Sequence, residues 1–89
     1  MSGKYGMMRQ TYLKENHPVE YQQLMWEGKL NEHLEEVNEE ARKQMEMQMN
    51  SLEKTYPALD RRNQLAWVEH KNSLKHMAEE VVLYQVVYA

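Results

Sequence analysis

Three observations predict an all-α fold. Apolar residues recur at spacings of three and four along most of the chain, the period of one helix face. Only three Gly and two Pro occur in 89 residues, too few for the many tight turns of an all-β chain. Charged residues make up 28% and apolar residues 42%, the balance of a folded, helix-rich chain rather than a disordered one. The expected architecture is a long antiparallel helical hairpin with two short N-terminal helices packed on it. One domain over residues 1–89 holds it, with a core that is thin for its surface.

The first helix is placed at about residues 4–15, where Tyr5, Met8 and Tyr12 share one face. It ends at "NHP", because the residue before a proline is pushed out of the helical region. Asn16 or His17 then caps a second helix at about 18–27, with Pro18 in its first position. Val19, Tyr21, Leu24, Met25 and Trp26 are its apolar residues, and Gly28 fits its C-cap.

The third helix, about 30–55, carries the stripe Leu30, Leu34, Val37, Ala41, Met45, Met49, Leu52 and Tyr56. It spans roughly 40 Å at 1.5 Å per residue, and Pro57 stops it. The fourth helix, about 58–87, carries Trp67, His70, Leu74, Met77, Val81, Tyr84 and Tyr88 at alternating steps of three and four. That is a heptad seam. "VVLYQVV" has strand propensity, but its continuity with the seam assigns it to the helix. The short link at Tyr56-Pro57 folds the two long helices back on each other. Met25, Met45, Met49 and Met77 are expected to serve the core. The seam is longer than the short helices can cover, and Leu65, Val68 and Val82 lie off it. A dimeric bundle through the seam residues is therefore expected.

The chain has no Cys, so disulfides, thiolate metal sites and thiol catalysis are excluded, and a cytoplasmic location is the simplest expectation. No apolar run approaches the roughly 20 residues needed to span a bilayer, and no membrane partner is expected. Net charge is −3, whereas a freestanding nucleic-acid binder is more often basic. The charge is unevenly spread. Residues 1–16 carry Lys4, Arg9 and Lys14 against Glu15, while residues 27–46 hold seven acids and three bases.

Lys4, Arg9 and Lys14, with Tyr5 and Tyr12, are the nucleic-acid-binding candidates: the cations suit phosphates and the rings suit bases. The favoured reading of the same residues is a packed first helix with a weakly basic outer face. Glu32, Glu35, Glu36, Glu39 and Glu40 form an acidic band opposite the apolar stripe. It is either a solvated face with a Glu39–Lys43 pair or a surface for a basic groove on a partner. Arg61 and Arg62, beside Asp60, are read as solvated charge at the start of the fourth helix. The pairs His17/Glu20, His33/Glu36 and His76/Glu79 have metal-compatible spacing but are read as surface or structural, and His70 as a hydrogen-bonded core or interface residue. No phosphate-binding Gly loop or nucleophile elbow occurs. A non-enzymatic chain with no cofactor is expected.

"GKYGMMRQTYLKENHPVEYQQLMWEGKLNEHLEEVNEEA" followed by "NQLAWVEHKNSLKHMAEEVVLYQVVY" resembles the TnpV family of small proteins encoded on bacterial transposons. The likeness covers nearly the whole chain, and "YLKENHPVEYQQLMWEGKLNEHLEEV" is its specific part. Two features depart from the family pattern: a short segment usually precedes "GKYG", and "MMRQT" holds a single Arg where members tend to have several. The resemblance implies an accessory protein of a mobile element that binds DNA, the element's recombinase, or both. The alternative is a protein-interaction inhibitor that occupies the basic groove of a host defence nuclease, as anti-CRISPR proteins do.

Overall fold

The computed structural model describes residues 3–58 and 62–89. Its elements are α1 (Lys4–Asn16), α2 (Pro18–Trp26), α3 (Leu30–Thr55), α4 (Gln64–Val82) and a short C-terminal π-helix (Leu83–Val87). Helix accounts for 86% of the described residues, and no strand occurs among them. The fold class is all-α, as expected.

Local chemistry sets the boundaries. Pro18 occupies the first turn of α2 and His17 its N-cap. Gly28 has φ +70°, and its N–H bonds to the Met25 carbonyl at 3.1 Å while that of Lys29 reaches Leu24 at 2.9 Å. This pair of bonds is a Schellman cap, and the left-handed residue at its centre favours glycine.

The fourth helix departs from expectation at both ends. It begins at Gln64 rather than near residue 58, because Asn63 supplies the cap: its side chain accepts the Ala66 N–H at 3.2 Å. The link after α3 is therefore longer than Tyr56-Pro57. Asp60 and Arg61 lie outside the described residues, and Arg62 sits in a turn ahead of the cap. At the other end the α-helix gives way at Leu83 to π geometry, closed by Tyr88 N–H to Leu83 O at 2.8 Å.

The buried line of α4 is Leu74, Ala78, Val82 and, across the π-helix, Val87. Its last step is five residues, the repeat that i→i+5 bonding stacks on one face. The expected seam is thus split. Of its residues only Leu74 is buried; His70 and Val81 are half-buried, and Trp67, Met77, Tyr84 and Tyr88 are exposed. A strict 3.5-residue repeat needs supercoiled helices to stay inward. Here the helix is rolled so that the line spaced by four faces the core.

The α3 stripe behaves as read. Leu34 and Ala41 are buried, Leu30, Val37, Met45, Met49 and Leu52 are half-buried, and Tyr56 is exposed. Met25 and Met77 are exposed; of the four, Met45 packs against the core and Met49 is half-buried. Tyr5, Ala41, Val82 and Val87 form the central cluster, with Met8, Val37, Met45, Leu83 and Val86 against it. Contacts between the long helices run in opposite order. Glu53 pairs with Lys71 at 3.2 Å, while Ala41 meets Val82 and Val87.

Candidate binding surfaces

Helix α1 starts at Gly3 without a side-chain cap of its own. The cap comes from α3 instead. Asn38 Oδ1 accepts the N–H groups of Tyr5 at 3.2 Å and Gly6 at 3.3 Å, two of the donors a helix start leaves open. A Cβ on Gly3 would lie 2.8 Å from the same oxygen, so glycine there lets the amide approach.

The nucleic-acid candidates do not gather on one surface. Lys4 Nζ reaches both Glu79 oxygens at 3.1 Å, and the Tyr5 hydroxyl donates to Glu79 at 3.3 Å. Tyr5 itself is buried. The Glu79 hydrogen bond raises the Lys4 pKa against a smaller effect of burial. Partial burial works against ionising Glu79, yet the Lys4 bond and charge, with the Tyr5 hydroxyl, hold its carboxyl below the usual value. Burial, then the Glu79 charge, pushes the Tyr5 phenol up.

Arg9 is only 8% exposed. Its Nη1 donates to the Val87 and Ala89 backbone oxygens at 3.0 and 2.7 Å, and its Nε to His33 Nε2 at 3.3 Å. The guanidinium therefore ties the end of the chain to α1 and α3, and His33 accepts at Nε2. The Tyr12 ring lies tilted against Tyr88 at 5.2 Å and edge-on to His17 at 5.3 Å; with Met8, Tyr84 and Tyr88 it borders an open groove. Lys14 is exposed, its ammonium 5.4 Å over the Tyr21 ring. Of the five, Lys4 and Lys14 remain on the surface, Lys4 within an ion pair.

The acidic band is outside throughout: Glu32, Glu35, Glu36, Glu39 and Glu40 are all exposed. Glu39 pairs with Arg42 at 3.3 Å, three residues on, in place of the expected Lys43. Gln44 donates to Glu40 at 3.2 Å. His17 meets the Tyr12 hydroxyl at 3.2 Å. His70 Nε2 lies 2.6 Å from the Tyr56 carbonyl, which only accepts, so that nitrogen carries the proton. No set of three His, Asp or Glu able to hold a metal occurs among the described residues.

Sequence reasoning missed the three polar residues that join the helices: Arg9 in its buried role, Asn38 and Glu79. A signal existed for one. Arg9 falls at i+4 from Tyr5 and i−4 from Leu13, which is fully buried, so the buried face of α1 runs through it.

The class this defines is a small, all-helical chain with polar side chains that tie helices together and an exposed band of five glutamates on α3. The chain belongs to the TnpV family: the family described as transposon-encoded protein TnpV matches residues 1–87. Comparison with curated proteins and with solved structures yields no match.

Proposed function

We propose that the chain is a non-enzymatic accessory protein of a transposon that works by binding a basic, nucleic-acid-handling protein, in the first instance the element's recombinase. One observation carries this reading. Five glutamates of α3 stand exposed along one face, while two of the residues that would contact nucleic acid, Tyr5 and Arg9, are buried. A surface that binds phosphates must offer Lys and Arg. A face of carboxylates is complementary to a protein surface that does so. Family membership supports the setting, since members are transposon-encoded. The order of contacts between α3 and α4 supports the expected antiparallel hairpin as the scaffold that displays the band. The basic groove of a host defence nuclease offers the same chemistry and is the second reading.

A titration of labelled chain with the purified recombinase, run beside random duplex DNA at about 50 mM salt, tests the proposal. Expected is binding to the protein that weakens as salt rises and is lost in Glu32→Gln/Glu36→Gln/Glu39→Gln. Saturable binding to DNA alone, weakened by Lys14→Ala and indifferent to the Gln changes, would overturn it.

A further inference from the structure

Helix α4 has a second face that its own chain covers only at one end, where His70 is half-buried and bonds to the Tyr56 carbonyl. Ala66, His70, Ser73, Met77, Glu80 and Tyr84 follow one another at steps of four and three, which keeps them in one row. None is buried; Met77 is 43% and Tyr84 81% exposed. The neighbouring lysines lie elsewhere: Lys71 reaches Glu53 at 3.2 Å, and Lys75 borders the groove beside Lys4 and Glu79.

We propose that this row is the interface of an antiparallel homodimer, with the two-fold axis level with residue 75. The row is self-complementary about that point. Tyr84 of one copy falls opposite Ala66 of the other, and Met77 opposite Ser73, so a large side chain meets a small one at both steps. Glu80 falls opposite His70, whose Nε2 is already engaged by the Tyr56 carbonyl, so the fit rests on the two large-to-small steps. A parallel pairing would instead set Tyr84 on Tyr84 and Glu80 on Glu80. A two-fold interface requires this i-to-j reciprocity. Surface area points the same way. The chain exposes 6906 Å², where a compact monomer of 10.8 kDa exposes about 5,500 Å². The excess is above the roughly 800 Å² that each partner buries in a standard interface. The proposal does not depend on the acidic band or on what it binds.

The absence of Cys from the chain makes the register directly testable. Light scattering at tens of micromolar should give a mass near twice 10.8 kDa. Met77→Glu and Tyr84→Glu should each return it to the single-chain mass with the helical circular dichroism unchanged, since both positions are exposed. Under oxidation, a mixture of Ala66→Cys and Tyr84→Cys chains should cross-link. Neither variant should cross-link alone, because like positions in the antiparallel pair are about 27 Å apart at 1.5 Å per residue. A single-chain mass that persists on tenfold concentration would overturn the dimer. Self-cross-linking of Ala66→Cys would overturn the antiparallel register.

Discussion

Arg9 stands inside α1 where a charge is costly unless every donor facing the interior is matched. The matching comes from Val87 and Ala89 oxygens and from His33, groups that lie far away in sequence. That distance is why the residue read as surface charge: a lone Arg in a polar stretch is exposed in most chains. Removing the donors leaves the buried Val87 carbonyl unpaired and frees two part-buried acceptors. Arg9→Met, which keeps the bulk, should therefore lower stability by about 2–3 kcal/mol in urea denaturation. Arg9→Lys should recover only part of it, since an ammonium lacks the planar fork. Glu79 gives the matching pH prediction. Its carboxyl is held below the ordinary 4.5, so its contribution is present above that value and is lost as pH falls through its folded pKa. Lys4 and Tyr5 are raised above 10.5 and 10.0; their contributions hold below those values and fade as pH rises past them. Melting temperature against pH should be flat between the two limits and fall outside them. Glu79→Gln should flatten the acid limb, with a loss at neutral pH of no more than about 1 kcal/mol because Lys4 is largely solvated.

At the scale of elements, the legible features were the local ones. Pro18, Gly28 and Pro57 act on their immediate neighbours, so the ends of α1, α2 and α3 could be read from the sequence. The α3 stripe could be read because one long face meets one core. The start and roll of α4 could not. The seam and the line Leu74, Ala78, Val82 differ by a small rotation, and packing decides between them. The π-helix is a further consequence of that packing, since it keeps Val87 inward. Asn38 was equally hidden: its cap acts on α1, a different element. Gly28 provides the test at this scale. Nothing lies within 4 Å of a Cβ built there, so the cost of a side chain is conformational alone. Gly28→Val should lower stability by about 1 kcal/mol or more, and Gly28→Asn by less, because Asn tolerates the left-handed region. Equal melting of all three chains would show that the cap contributes nothing.

The whole molecule is extended, 54 × 20 × 19 Å with a radius of gyration of 16.3 Å, where a compact chain of this length has about 12 Å. An extended helical chain leaves surface for others, and two of its exposed faces differ in chemistry. The α3 band is anionic and suits a basic protein; the α4 row is largely uncharged and suits a second copy. The acidic band was legible because it lies in one stretch of sequence. The dispersal of the basic candidates was not, because it depends on Glu79, Val87 and Ala89 folding back onto α1. The central claim is that recognition runs through α3 and not through α1. Amide chemical-shift mapping of the labelled chain on addition of the recombinase tests it most directly. The account predicts perturbations concentrated at residues 32–40, reversed by added salt, and no comparable change with duplex DNA. Perturbations concentrated at residues 4–14, or produced in full by DNA alone, would contradict it.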